Sequence, residues 1–520
     1  MLSNADLQQK LKDAPKTSGS MLALAIDAAR TLNIYTSSLV WLNRSAFLIG
    51  AEGVKKNLWI LSFDSNLTLL SAFEGEMVNS GDGAVKCCPM NRHNATALRA
   101  KFEYTKPVLV GLRNSLGCGD RLGIANAGHL RAMAGSGFVP VLAQQSVREL
   151  ERTRREAQDV LDAATWAVFQ EGYRDGFGAD GDHLKTPEDI DRYAKAGFTM
   201  FTLDIGAHVV NEAARLPMDE VRRRAAALPF DVLKDTLKDL VARYANQKFT
   251  LSADFVLQPK EEDVLRTAVK YGAGIAQTVK LNDHLRTCYD PKRYEIELSV
   301  DETDTPTTPL EHFVIANELR RLGVPIVSLA PRFIGDFEKG IEYKGDLNAF
   351  KQEYIKHQLI AHQLGPYKIS IHSGSDKFDV YKVVGELGSK NVHVKTAGTS
   401  WLEALRCIAK VKPSLFREIL EFAKGRFAID RQSYHVTAEV SHLKPTSQYS
   451  DNELRDLLED VHARQILHVT FGSVLSATDG RGNDIFKPRI MKCLIEHEPD
   501  HYECLINHFK RHLAPLVAGK

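Results

Sequence analysis

No CxxC pair occurs in the 520 residues, and the seven cysteines (Cys87, Cys88, Cys118, Cys288, Cys407, Cys493, Cys504) are odd in number and scattered. That pattern excludes a zinc ribbon and a disulfide framework, and points to a reducing, cytoplasmic location. No apolar run is long enough to span a bilayer, and the opening MLSNADLQQKLKD lacks the apolar core of a secretory signal. No charge of one sign prevails: 67 basic and 66 acidic residues leave a formal net charge of +1. Such a balance gives no electrostatic footprint for nucleic acid. Internal repeats and low-complexity tracts are also missing. No GxGxxG follows an apolar run; Gly117-Cys118-Gly119-Asp120 comes nearest and lacks the third glycine.

What is present is an ordinary soluble composition, 44% hydrophobic, with length for two to four domains or one large barrel with additions. Residues 1–105 read as a small N-terminal α/β domain. Helical periodicity covers Ala5–Arg30, and strand-like runs follow at Ala46–Ile49, Leu58–Phe63 and Leu67–Phe73. Cys87 and Cys88 read as buried thiols. From residue 106 short apolar runs alternate with helical stretches, the signature of βαβ units and a parallel sheet. Eight such runs are counted: Val108–Leu112, Val139–Ala143, Ala167–Gln170, Met200–Leu203, Tyr294–Val300, Ile326–Leu329, Tyr367–Ile371 and Val392–Lys395. The expected architecture is therefore α/β, a (β/α)8 TIM-like barrel over 106–410, with a doubly wound sheet as the alternative. A helical insertion occupies 206–292, and 411–520 form a helical C-terminal extension. Leu251–Phe255, inside the insertion, is strand-like and competes for a place among the eight.

In a barrel the C-terminal strand ends meet at one mouth. A buried parallel strand should be almost wholly apolar, yet Lys368, Ser370 and His372 share one face, as do His393 and Lys395. Such groups mark a site, or else they cap the following helices. Histidine and carboxylate at a barrel mouth form the ligand set for Zn, Mn, Co, Ni or Fe with open positions. His183, His372 and His393 are the candidate nitrogen ligands, and Glu338, Asp301 and Glu302 the candidate oxygen ligands. His312, His357, His362 and His468 lie on helical or apolar stretches and read as structural. Arg113, Arg332, Lys377 and Lys395 suggest an anionic substrate, a carboxylate rather than a phosphate.

Five stretches, EGYRDGFGADGDHLKT (171–186), ELSVDETDTPTTPLEHF (297–313), SLAPRFIGDFEKGIEY (328–343), HSGSDKF (372–378) and HVKTAGTSWLEAL (393–405), resemble the tagaturonate epimerase family. FEGE…SGDGAVK (73–86) and ARQILHVTFGS (463–473) add to the resemblance. Two departures are Glu342, where aspartate is expected, and Gly181, where alanine is expected; the first would tune substrate preference. The resemblance implies a barrel, a divalent metal cation and a small-molecule hexuronate keto acid as substrate, with no nucleic-acid or membrane partner and homo-oligomerisation left open. By position and resemblance His183, His372 and Glu338 would hold the metal, with His393 in reserve. Asp182 would accept a proton and Glu297 donate one, with Asp301 and Glu302 as runners-up. Arg332, Lys395 and His393 would bind substrate. A metal-dependent ketose isomerase or aldolase, and a non-catalytic sugar-acid sensor, are the competing readings.

Overall fold

The structure, a computed structural model, describes residues 4–26, 30–64, 67–80, 83–388 and 390–518. An antiparallel sheet comes first: β1 (Met21–Ala25), β2 (Thr31–Tyr35), β3 (Val40–Leu42), β4 (Ser45–Glu52), β5 (Lys55–Ser62), β6 (Glu76–Ser80) and β7 (Gly83–Cys88). The main path runs β1-β2-β4-β5-β7-β6, with β3 paired to β4. Alternation along β4 and β5 serves two cores. Phe47, Ile49, Leu58 and Ile60 pack on Phe102, Trp166 and Phe169, whereas Ala46, Leu48, Trp59 and Leu61 pack on Leu11, Leu24 and Leu32.

Eight parallel strands then close a barrel: β8 (Ser115–Gly117), β9 (Val139–Ser146), β10 (Gly178–Leu184), β11 (Met200–Asp204) and, beyond an excluded hairpin β12 (Phe249–Ser252) and β13 (Phe255–Leu257), β14 (Glu295–Val300), β15 (Ile326–Pro331), β16 (Lys368–Ile371) and β17 (Val392–Lys395). Outward residues such as Leu116, Leu298, Ile369, Ile371, Val392 and Val394 bury against the surrounding helices. The alternate positions point inward and are polar: Ser115, Glu295, Glu297, Ser299, Ser328, Lys368, Ser370, His393 and Lys395 are all buried. The final helix, Glu498–Val517, lies along the barrel. It ties the N-terminal sheet down, because the Glu498 carboxylate accepts from Tyr35 Oη at 2.9 Å and Lys56 Nζ at 2.6 Å. Among the described residues no helix is long and apolar enough to cross a membrane.

The barrel agrees with the sequence reading, but two of its strands are not where the runs placed them. Ala167–Gln170 lies in the helix Ala157–Glu171, and the third strand is β10. Val108–Leu112 is not a strand: its Val110 and Gly111 amides donate to the Glu295 carboxylate, both at 2.8 Å, and the first strand is β8. Apolar runs draw attention away from a strand such as GADGDHL, whose inward residues are acidic. Leu251–Phe255 belongs to the β12–β13 hairpin and displaces nothing. The early helix is only Asn4–Lys12 and residues 21–25 form β1, while 27–29 lie outside the described residues. The expected strand at Leu67–Phe73 is a short helix, Thr68–Ser71. Cys88 is buried, whereas Cys87 is partly exposed.

Gly181, where the resemblance leads to an expectation of alanine, has little room for a side chain. A Cβ there would lie 2.9 Å from Tyr193 Cγ and 3.1 Å from Leu184 Cδ1. Tyr193 is fully buried and donates its hydroxyl to the Gln145 carbonyl at 2.8 Å. Gly181→Ala should therefore overpack this contact, costing about 1–3 kcal/mol of stability. A denaturant midpoint equal to or above that of the parent would contradict this packing account.

Candidate active site

The site begins with a break in alternation. Successive side chains on a strand point to opposite faces, so Asp182 and His183 should diverge. The β10–β11 register shifts between Gly181 and Leu184, and His183 adopts a left-handed backbone, φ 56°. A bulge of this kind re-aims a side chain, and both residues line the barrel mouth. His183 Nδ1 lies 2.9 Å from Asp182 Oδ1, and its Nε2, buried, has no hydrogen-bond partner among the described residues. From β16, His372 places Nε2 2.7 Å from Glu297 Oε1 and Nδ1 3.0 Å from Asp301 Oδ1. Asp301 Oδ1 is also 3.6 Å from His183 Nε2, and accepts from the Ser299 hydroxyl. Ligand atoms of His183, Asp301 and His372 all fall within 4.8 Å of one another.

Lys395 occupies the centre beneath them. Its Nζ lies 2.8 Å from Asp180 Oδ2, 2.7 Å from Asp182 Oδ1 and 2.8 Å from Glu297 Oε1, and donates to Thr202 Oγ1 at 2.7 Å. Burial opposes each of these charges, and the partners decide the outcome. Asp180, Asp182 and Glu297 together hold the Lys395 ammonium well above the ordinary lysine range. Against burial, His183 and Lys395 keep Asp182 well below the usual carboxylate range, and Lys395 and His372 do so for Glu297. For Asp180 burial wins and its carboxyl is pushed up. Against burial, Asp182 and Asp301 raise His183 and His372 respectively.

The turn after β16 carries His372 and needs support, since Ser373 and Asp376 both have positive φ, 52° and 62°. The C-terminal extension supplies it. The Asp376 amide donates to His512 Nε2 at 3.0 Å, and its carboxylate takes Arg464 Nη2 at 2.7 Å and His508 Nε2 at 2.6 Å. Those same residues form an acid–imidazole cluster, but their ring nitrogens are already occupied.

The mouth opens into a cavity of about 700 Å³, lined among others by Arg148, Asp301, Glu302, Arg332, Lys339 and His372. A smaller recess of about 60 Å³ shares Arg148, Asp301, Glu302, Lys339 and His372 and reaches Asp182, His183 and Lys395. Several expected residues lie elsewhere. Glu338 does not join the histidines. Its carboxylate accepts from Lys344 at 2.7 Å, Gln465 at 2.7 Å and Thr437 at 2.9 Å, and Asp301 stands where a third ligand was sought. His393 is fully buried below the mouth, with Nδ1 2.9 Å from Ser115 Oγ, and burial pushes it down to about 3. Glu297 is fully buried and reaches the mouth only through His372 and Lys395. Arg113 caps the Val110 and Leu109 carbonyls at 3.1 Å each. Lys377 is buried among the carbonyls of Glu338, Ile341 and Ser375. Glu342 receives the Asp379 amide at 3.3 Å, at the start of a helix and off the cavity wall.

Other lining residues were not singled out from sequence. Arg121 and Arg148 gave no signal beyond their basic character, and Tyr434 comes from the extension, far along the chain. His468, read as structural, also lines the recess; it was visible only as part of the stretch 463–473.

A closed parallel barrel with an acid–imidazole centre at its C-terminal strand ends has the arrangement of a barrel enzyme. The sequence profile of the tagaturonate epimerase family matches residues 35–516, and the chain belongs to that family. The tagaturonate/fructuronate epimerase of Thermotoga maritima is 44% identical over 426 residues, which cover 82% of this chain and 85% of that protein. Crystal structures of the fructuronate-tagaturonate epimerase UxaE from Cohnella laeviribosi superpose at 37% identity, covering 93% of this chain and 96% of theirs. The TM-score is 0.88 for a form with one glycerol and 0.86 for the native form.

The lysine-centred cluster makes a pH-dependent forecast. Lys395→Met leaves three buried carboxylates without their cation, a loss on the order of 3–5 kcal/mol. With the ammonium gone their folded pKa values rise above the unfolded ones, so the native state binds more protons and stability falls as pH rises. Urea unfolding should therefore show a larger deficit at pH 8 than at pH 5.5. An equal deficit at both would remove Lys395 from this role.

Proposed function

We propose that the chain interconverts D-tagaturonate and D-fructuronate, inverting C4, and that a divalent cation takes part. The activity is that named for the Thermotoga maritima relative. The observation that carries the chemistry is the His183–Asp301–His372 constellation, with His183 Nε2 unpartnered and aimed at Asp301. Both histidines fit a ligand role, because each turns its other nitrogen to a carboxylate, His183 to Asp182 and His372 to Glu297. Such carboxylates fix ring orientation and raise ligand basicity. His183, Asp301 and His372 would hold Zn, Mn, Co, Ni or Fe, and a cation bound there supplies Lewis-acid polarisation of the substrate carbonyl. Seven free thiols support the cytoplasmic placement.

The substrate's C2 carbonyl makes the C3–C4 bond the weak one. The C4 hydrogen is not α to that carbonyl, whereas the C4 hydroxyl is β to it. Loss of the hydroxyl proton forms an aldehyde at C4, breaks C3–C4, and leaves the electron pair on the C1–C3 fragment as an enediolate. The aldehyde turns, C3 attacks its other face, and the new alkoxide takes a proton back. Asp182, at the mouth and held as carboxylate, suits the proton-accepting role. Glu302, 39% exposed on the cavity wall, suits the donor role better than Glu297, which lies below and orients His372.

Chelation should abolish turnover, and Mn, Co, Ni or Zn should restore it. His372→Ala should lose the metal while keeping the fold, as read by metal analysis and circular dichroism. Full turnover by metal-free protein would exclude this assignment.

Substrate deuterated at C4 should keep its label through many turnovers in ordinary water, because the C4–H bond never breaks. Asp182→Asn and Glu302→Gln should each slow epimerisation about a hundred- to ten-thousandfold. Deuterium loss from C4 at the rate of epimerisation would establish direct deprotonation instead.

A further inference from the structure

We propose that Lys339, backed by Arg121, is the subsite that holds the terminal carboxylate of the sugar acid, on the side of the cavity next to His372. The proposal rests on the hexuronate reading above and names the groups that make it selective for an acid. The cations at the mouth differ in how much of their charge is already matched.

Lys395 has none to spare, since three carboxylates surround it within 2.8 Å. Arg148 lies 3.7 Å from Glu302 and stacks over Tyr434. Arg332 donates to the Thr303 carbonyl at 2.6 Å and lines the outer cavity, not the recess that holds Asp182, His183 and Lys395. Lys339 differs from Lys395 and Arg148 in its unmatched charge. It differs from Arg332, which too makes no ion pair among the described residues and keeps a buried Nε without a partner there, in reaching the recess. Its Nζ donates to Ser373 Oγ at 2.6 Å, and among the described residues it makes no ion pair. Lys339 lines both the cavity and the recess, and its hydroxyl partner is the residue after His372.

Arg121 lines the same recess as a fixed second donor. Its Nε donates to Glu149 at 2.9 Å, its guanidinium lies 3.6 Å over the Phe471 ring, and its buried Nη1 has no partner among the described residues. His468 Nδ1, also buried, is likewise unpartnered. The backbone is cut away to admit this ring: a Cβ on Gly398 would lie 1.9 Å from His468 Cε1, and one on Gly340 3.1 Å from His468 Nδ1. Two buried nitrogen groups without partners and one unneutralised ammonium thus line one small recess. Unmet buried polar groups are costly unless a ligand satisfies them, and a carboxylate would accept charge-assisted bonds from Lys339 Nζ and Arg121 Nη1.

The placement also bears on why the reaction ends in inversion. Cleavage of C3–C4 leaves the carboxylate on the aldehyde fragment. Held at Lys339, that fragment stays in the cavity while its aldehyde turns about C4–C5, so re-addition outruns escape. Four C–C bonds of about 1.5 Å separate C2 from the carboxylate carbon, a span of roughly 5 Å when extended. The carboxylate subsite must therefore lie within that reach of the groups that face C2.

The test uses the metal-loaded enzyme and a pair of non-reacting probes, D-galactonate and galactitol, which differ in a carboxylate against a CH2OH. Calorimetry on the parent should show galactonate bound at least about tenfold more tightly. Lys339→Gln, a partly exposed position that leaves the fold intact, should reduce that preference to within about threefold and raise KM for tagaturonate about ten- to a hundredfold. Arg121→Lys keeps the charge beside Glu149 and should weaken the preference in part. An unchanged preference in both variants overturns the proposal, as does its loss in Arg332→Gln alone. A parent that fails to epimerise tagaturonate, yet shows a carboxylate preference that Lys339→Gln removes, upholds the subsite and refutes the assigned reaction.

Discussion

One ammonium, Lys395, conditions the whole centre of this molecule. Three carboxylates from β10 and β14 converge on it inside the barrel, within 2.8 Å. Without a cation they could not all ionise in so buried a place. With it, Asp182 and Glu297 stay charged, and each can accept from an imidazole. Those two bonds turn His183 and His372 so that their remaining nitrogens face Asp301. The order of dependence runs from β17 outward: lysine, paired carboxylates, oriented imidazoles, and then the open face of the cavity. A buried ion cluster of this kind contributes little net stability, and its value here is in geometry.

That dependence explains what the sequence made legible. Strands with apolar faces stood out, and six of the eight runs fell on barrel strands. The pairs His372/Lys368 and His393/Lys395 stood out because basic groups on a parallel strand break its expected apolar pattern. β10 did not, because GADGDHL holds the acidic half of the same cluster and reads as a loop. Its strand character comes from pairing with β9 and β11 and from a lysine more than two hundred residues away, neither visible locally. Glu338 was drawn in by its place after β15, where the chain turns toward Gln465 and Thr437 instead. Glu297 was correctly placed on the inward face, but the side chain stops at His372 and Lys395.

The cavity wall was the least legible part. Its basic groups come from the segments after β8 and β15 and from the helix Val147–Thr153 after β9, and its aromatic and imidazole groups, Tyr434 and His468, come from the extension. Arg332 stood out by its place after a strand, but periodicity marks none of the others: Arg121 and Tyr434 lie between elements, and Arg148 and His468 lie in helices whose pattern does not announce a cavity. The glycines opposite His468 carry the only trace. Gly340 and Gly398 each sit in a stretch that resembles the family, and each leaves space that a larger residue would fill.

The link between Asp376 and the last helix has a consequence in time. A ribosome releases the barrel strands by residue 395, yet His508 and His512 follow more than a hundred residues later. Until they arrive, the Asp376 carboxylate lacks His508 and its amide lacks His512. The turn that presents His372 is therefore among the last pieces to settle during synthesis, after the barrel around it has closed. A nascent barrel can assemble its walls early, but the turn that carries His372 gains these supports only when the helix Glu498–Val517 has wrapped back onto it.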